Sequence, residues 1–241
     1  MNILEFNEKI YFRKTSLVDY PAKVSSVLFF SNCNMRCPWC QNGDLITHKN
    51  PEDALDLQEA LSFIEKRQHI LGGVVLSGGE PTLYPSLPKL ISYIKSLNLS
   101  VKLDTNGTNP NMLKTLLDAS STRPDYIACD LKTNMMRYAD LSVLQDSKIK
   151  LHLRESIQII STSGIDHEFR SLVFPDSDTE DFLKKTDVEE FAKLIGQSKW
   201  KFRTFISGSC LIPEWNLKEE INPQKLADYI AFAKSLGANA S

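Results

Sequence analysis

Short apolar runs alternate along this chain with longer stretches in which apolar residues recur every three or four positions. Residues 23–30, 74–76, 101–104, 126–129, 168–174 and 200–206 are rich in Val, Ile, Leu and Phe, and they read as buried strands. Helical spacing follows: Leu57, Ala60, Leu61 and Ile64 share one face, and so do Leu87, Leu90, Ile91, Ile94 and Leu97. Leu153, Ile157 and Ile160 repeat the pattern, with a break near Asp146-Ser147 ahead of them, as do Leu226, Ile230 and Ala233. Start signals stand where they should: Asp56 with Glu59 as a capping box, Asn109-Pro110, Thr186 with Glu189, and Asn222-Pro223. Gly72-Gly73, Gly164 and Gly196 supply the stops.

Strand and helix therefore alternate about six times, which predicts a parallel sheet with helices outside it. Six units fall short of a closed eightfold barrel, so the expected fold is an α/β partial (β/α)6 TIM-like barrel. The organisation expected is one domain over residues 1–241, with a lead-in of 1–22 and the barrel over 23–241. In such a fold the site sits at the C-terminal strand ends. The unusual residues obey that rule: Cys33-Asn34-Met35-Arg36-Cys37-Pro38-Trp39-Cys40, Ser77-Gly78-Gly79-Glu80-Pro81, Asp104-Thr105-Asn106-Gly107 and Asp130-Leu131-Lys132 each follow an expected strand.

Composition narrows the class. The 241 residues carry a formal net charge of −2, with basic and acidic residues interspersed, which argues against a nucleic-acid surface. No apolar run is long enough to span a bilayer and the first residues lack a secretory h-region, so a cytoplasmic protein with reduced thiols is expected. Five cysteines, three of them clustered, form a metal-ligand pattern and not a disulfide framework. Three thiolates at C-x3-C-x2-C spacing leave a metal centre one open position, where chemistry can occur.

The cysteine loop after the first strand, with Gly-Gly-Glu-Pro after the second, resembles the radical S-adenosylmethionine superfamily. The resemblance implies that Cys33, Cys37 and Cys40 ligate a [4Fe-4S] cluster whose fourth iron takes S-adenosylmethionine. It also implies reductive cleavage to a 5′-deoxyadenosyl radical. It gives Gly78, Gly79 and Glu80 a role toward the methionine part, Trp39 a place near the adenine, Asp104 and Asn106 places at the cosubstrate, and Arg170 one facing the cosubstrate or the peptide. Lys14-Thr15-Ser16-Leu17-Val18-Asp19-Tyr20-Pro21 and the Asp-Thr-Asn-Gly and Asp-Leu-Lys strand ends are similar to glycyl-radical-enzyme activases, most of all those of anaerobic ribonucleoside-triphosphate reductase. Pyruvate formate-lyase-type activases imply a monovalent cation at Asp104, Thr105 and Asp130, as hard oxygen ligands would suit. The implied partners are a large glycyl-radical enzyme and a flavodoxin or ferredoxin as electron donor. Three places depart from the activase pattern: Gln41 follows the third cysteine where His is usual, Ala22 follows Tyr-Pro where Gly is usual, and Ser31-Asn32 precedes the first cysteine where a Gly is common.

Other readings stand beside these. The cysteine loop with His48 could hold zinc. Gly78-Gly79-Glu80-Pro81, Asp104 and Asn106 are also turn formers, Asp130 with Lys132 is also an ordinary ion pair, and Arg170 could be structural. Cys129 reads as a packed core thiol, Cys210 as incidental, and Trp200, Phe202 and Phe205 as core. The alternative functions are a pyruvate formate-lyase-type activase, a small-molecule radical enzyme such as 7-carboxy-7-deazaguanine synthase, or a non-catalytic metal- or cluster-binding interaction module.

Overall fold

The computed structural model describes residues 8–47, 51–143, 146–175, 182–219 and 221–241. Contacts divide the chain into two compact units. One comprises the residues up to Cys33 together with 44–104 and 111–126, and the other comprises 34–43, 105–110 and 127–241.

The first unit contains strands β1 (Lys9–Ser16), β2 (Ser25–Phe30), β3 (Leu55–Asp56), β4 (Gly73–Gly78) and β5 (Ser100–Thr105), in the order β3-β1-β2-β4-β5. Its helices are α1 (Leu57–Arg67), α2 (Leu87–Ser96) and α3 (Pro110–Asp118). β2 and β4 run parallel from Ser25 opposite Gly73 to Phe30 opposite Gly78, and β4 continues parallel to β5. Consecutive apolar residues such as Val27, Leu28, Val74, Val75 and Leu76 are fully buried, as strands covered on both faces require. Leu57, Ala60, Leu61 and Ile64 of α1 face this core, as do Leu87, Leu90, Ile91 and Ile94 of α2.

Two local expectations fail here. β1 is a full strand antiparallel to β2, although its sequence KIYFRKTS reads as mixed. The capping box on α1 does not form, because Asp56 makes no side-chain cap bond and instead pairs with Lys9, its neighbour across β1 and β3, at 3.1 Å.

The second unit contains β6 (Tyr126–Asp130), β7 (Asp166–Val173), β8 (Lys199–Thr204) and β9 (Asn239–Ala240), in that order, with β7, β8 and β9 parallel. Its helices are α4 (Tyr138–Leu141), α5 (Ile149–Thr162), α6 (Lys185–Ile195) and α7 (Pro223–Ser235). The break expected near Asp146-Ser147 separates α4 from α5, and Gly164 lies just past α5 at φ +72°. Asn222 caps α7 by accepting from the Gln224 N–H at 2.9 Å. α6 begins at Lys185 with Lys184 as its cap, two residues earlier than a cap at Thr186 predicts, and its capping carboxylate is Asp187, which accepts from the Lys184 N–H at 2.7 Å. Trp200, Phe202 and Phe205 are core, and so is the Cys129 thiol, as their strand spacing predicts. Among the described residues no helix is long and apolar enough to cross a membrane.

Candidate active site

In the second unit the cysteine loop is pinned along its length. The Val143 N–H donates to the Asn34 carbonyl at 2.9 Å and the Arg36 N–H to the Leu141 carbonyl at 2.7 Å. A tight turn puts the Cys40 N–H on the Cys37 carbonyl at 3.0 Å. The segment after β8 closes over the far end: the Ile212 N–H reaches the Pro38 carbonyl at 3.0 Å, and Gln41 Nε2 donates to the Ile206 carbonyl at 2.6 Å. Gln41, at the position where activases carry His, thus fastens the loop to its own unit. Cys37 is buried, Cys33 and Cys40 are half-buried, and none of the five cysteines is in a disulfide.

Trp39 anchors the same loop. It is 3% exposed and packs edge-on against Phe174 and Phe182, with ring centroids at 4.6 and 4.7 Å, and against Trp215 at 5.2 Å. Arg137 stacks over Phe182 at 4.5 Å. Trp215 is a member of this aromatic group that the sequence pattern does not single out. It lies more than 170 positions from Trp39, and only its size marked it.

In the first unit the Gly-Gly-Glu loop is stitched to the backbone leading into Cys33. The Gly79 N–H donates to the Phe30 carbonyl at 2.6 Å, and the Glu80 N–H to the Asn32 carbonyl at 2.7 Å. Gly78 has φ +103°, a conformation open to glycine, and a Cβ there would stand 2.5 Å from the Phe30 nitrogen. Glu80 is fully buried, and its Oε1 accepts from the Thr82 N–H at 3.1 Å and from Thr82 Oγ1 at 2.5 Å, capping the turn Pro81–Leu83. Asp104, at the end of β5, accepts from Ser77 Oγ at 2.9 Å and pairs with the buried ammonium of Lys102.

The other strand-end residues gather in the second unit. Thr105 Oγ1 accepts from the Gly107 N–H at 3.1 Å, and Asn106 bonds to both Asn34 and Thr108. Arg170 Nε reaches one oxygen of Asp130 at 2.5 Å, and Lys132 Nζ reaches the other at 2.7 Å. Burial opposes charge on Asp130, but the Arg170 guanidinium, followed by the Lys132 ammonium, outweighs it and holds the carboxyl well below the usual range. Burial likewise opposes charge on Lys132, yet Asp130, then the thiols of Cys37 and Cys40, hold its ammonium above the usual lysine range. A positive charge thus stands near Cys37 and Cys40, where thiolate ligands would carry negative charge, and three reduced thiols at C-x3-C-x2-C spacing fit an iron–sulfur group. Among the described residues no three His, Cys, Asp or Glu side chains form a site for a single metal ion. His48, the zinc candidate, lies outside the described residues.

Comparison with known proteins agrees with this arrangement. Over 184 residues the chain is 29% identical to a Methanocaldococcus jannaschii protein provisionally named a glycyl-radical enzyme activating enzyme, covering 75% of this chain and 72% of that one. Over 78 residues it is 32% identical to 7-carboxy-7-deazaguanine synthase of Aquifex aeolicus, covering 32% of this chain and 33% of that one. The crystal structure of methylornithine synthase superposes with a TM-score of 0.56 at 15% identity, covering 90% of this chain and 70% of the other. That likeness concerns the fold, and it bears out the α/β partial barrel expected from the sequence. Residues 27–185, well over half of the chain, match the Radical SAM superfamily, a span that takes in the cysteine loop, the Gly-Gly-Glu loop and all the strand-end residues described above. The chain belongs to the radical SAM superfamily of enzymes.

Proposed function

We propose that this enzyme is a glycyl-radical-enzyme activase, with anaerobic ribonucleoside-triphosphate reductase as its foremost candidate partner. Cys33, Cys37 and Cys40 would hold a [4Fe-4S] cluster with one iron left for S-adenosylmethionine. When bound, that group would supply the electron for reductive cleavage of S-adenosylmethionine, the chemistry that would take a hydrogen atom from a glycine of the partner. The electron comes from an external flavodoxin or ferredoxin.

The chain's own residues divide the remaining work. The backbone of Gly78 and Gly79 and the carboxylate of Glu80 are the candidates for the methionine end of the cosubstrate. Trp39, and the aromatic group that locks it, borders the adenine. Arg170 and Asp130 form the charged floor of the second unit. Both carboxylates named for a monovalent cation hold protein cations, Lys102 at Asp104 and Arg170 with Lys132 at Asp130, so an added cation there would join an already neutralised pair.

One observation carries the radical chemistry: the Gly79-Glu80 backbone is hydrogen-bonded to Phe30 and Asn32, directly ahead of Cys33. The activase reading is supported by the 184-residue match, which spans more than twice the share of this chain that the A. aeolicus synthase match spans, 75% against 32%. Anaerobic reconstitution with iron and sulfide, followed by dithionite and S-adenosylmethionine, should yield 5′-deoxyadenosine, and Cys37→Ala should not. Absence of the product in the wild type would end the radical reading. A glycyl radical EPR signal in a co-encoded partner tests the activase step. Product formation with a small-molecule substrate and no such signal would favour a 7-carboxy-7-deazaguanine synthase-like enzyme instead.

A further inference from the structure

Three side chains of the second unit close a ring of hydrogen bonds. Asn106 Nδ2 donates to Asn34 Oδ1 at 2.9 Å, Asn34 Nδ2 donates to Thr108 Oγ1 at 2.8 Å, and Thr108 Oγ1 donates to Asn106 Oδ1 at 2.6 Å. Around the ring every group donates once and accepts once, all in one sense, so each bond polarises the next. The Thr108 N–H adds a second donor to Asn106 Oδ1 at 3.0 Å. Asn106 and Thr108 are 4% and 7% exposed, so water competes little for these bonds.

The placement of the members gives the ring its meaning. Asn106 and Thr108 belong to the loop that follows β5, and Asn34 is the residue after Cys33. Asn34 and Arg36 are also tied by backbone bonds to Val143 and Leu141. The stretch between the first two cysteines is therefore held from two sides, by α4 and its following turn and by the ring. An asparagine aimed at a ligand would present its amide outward, whereas here both polar atoms of the Asn106 amide are engaged within the ring.

We infer that Asn34, Asn106 and Thr108 are positioning residues that fix the Asn34–Arg36 stretch, and through it the hold of Cys33 and Cys37 on the cluster. The inference rests on the reading that these cysteines carry a cluster. It moves Asn106 from contact with the cosubstrate to support of the loop, and it assigns roles to Asn34 and Thr108.

The test compares Thr108→Val, which keeps the shape but removes the hydroxyl, with Thr108→Ser, which keeps the hydroxyl. After anaerobic reconstitution, iron loss to a chelator is expected to be about tenfold faster in T108V than in wild type, the usual scale for outer-shell support of a metal site, while T108S behaves as wild type. Equal rates in T108V and wild type would overturn the inference. Hydrogen exchange of the cluster-free protein gives a second readout: the Val143 and Arg36 amides should exchange faster in T108V and not in T108S. If T108V does not fold, Asn34→Ala at the half-buried member serves, with the same two outcomes expected. A wild type that takes up no iron would refute the cluster reading, while the exchange data would still decide whether the ring fixes the loop.

Discussion

A Cβ on Gly79 would stand 2.2 Å from the carbonyl oxygen of Asn32, the residue before Cys33. The obstacle is backbone, which cannot swing aside as a flexible side chain could. Gly79→Ala should therefore push the Gly-Gly-Glu loop off the lead into the cysteines. A loss of about 3 kcal/mol in urea unfolding of the cluster-free protein is expected, at the upper end of overpacking costs. Iron uptake should fall with it. A fully stable, iron-binding G79A variant would show that the close approach is not needed.

Ala22 sits at φ +58° in an exposed turn closed by the Lys23 N–H on the Tyr20 carbonyl at 3.3 Å. Pro21 precedes it, so the turn has the Pro-then-positive-φ order of type II, whose third position favours glycine. Activases carry Gly after Tyr-Pro, and the geometry explains why. Ala22→Gly is expected to raise stability by about 0.5–1 kcal/mol, seen as a higher melting temperature with unchanged activity.

Gly107 and Gly164 share nearly the same φ, +73° and +72°, but not the same surroundings. A Cβ on Gly107 would meet Cys129 Sγ and Leu153 Cδ1 at 2.9 Å each, whereas one on Gly164 meets nothing within 4 Å. Both alanine variants lose the conformational term of about 1 kcal/mol. Gly107→Ala should lose about 1–2 kcal/mol more from overpacking, and Cys129→Ala in the same chain should recover part of it. Equal losses in the two single variants would mean that the core gives way freely.

The Asp130 carboxylate accepts from Arg170 and Lys132 and is held below the usual carboxylate range. Because its folded value is depressed, its contribution is full above the unfolded value of about 4 and is lost as pH falls further. Asp130→Asn should cost about 2 kcal/mol at neutral pH, less than a fully buried pair because the site is half-buried. Urea midpoints of the two proteins should converge as the pH is lowered from 5 toward about 3. A constant gap across that range would place the stabilisation elsewhere.

Much of the sheet could be read from composition alone. The six apolar runs are strands because a strand covered on both faces needs no polar alternation. β1 escaped that reading because it needs no apolar run. Ile10, Tyr11 and Ser16 are buried, while Lys9, Arg13, Lys14 and Thr15 face solvent, and pairing with β2 supplies what propensity does not. At the site, the cysteine spacing and the Gly-Gly-Glu loop announced themselves because few other arrangements require them. The supports did not. Asn34, Thr108 and Trp215 are ordinary residues whose roles come from partners distant in sequence, and a single chain does not reveal such pairings. Asn106 was noticed as a strand-end residue, but whether its amide faced outward or back toward the cysteines depended on a neighbour 72 positions away.

The ring at Asn106 also bears on how the protein ages. Asn106 precedes Gly107, and an asparagine followed by glycine is the pair most open to spontaneous loss of its amide, since the glycine nitrogen can swing onto the side-chain carbon. In the folded chain that nitrogen is held by Thr105 Oγ1 and the amide is held by Asn34 and Thr108, so the attack geometry is denied. A molecule that lingers unfolded loses this shelter, and the aspartate left behind has no hydrogen to give to Asn34. Time spent unfolded is then written into the covalent structure, at the residue on which the cysteine loop leans.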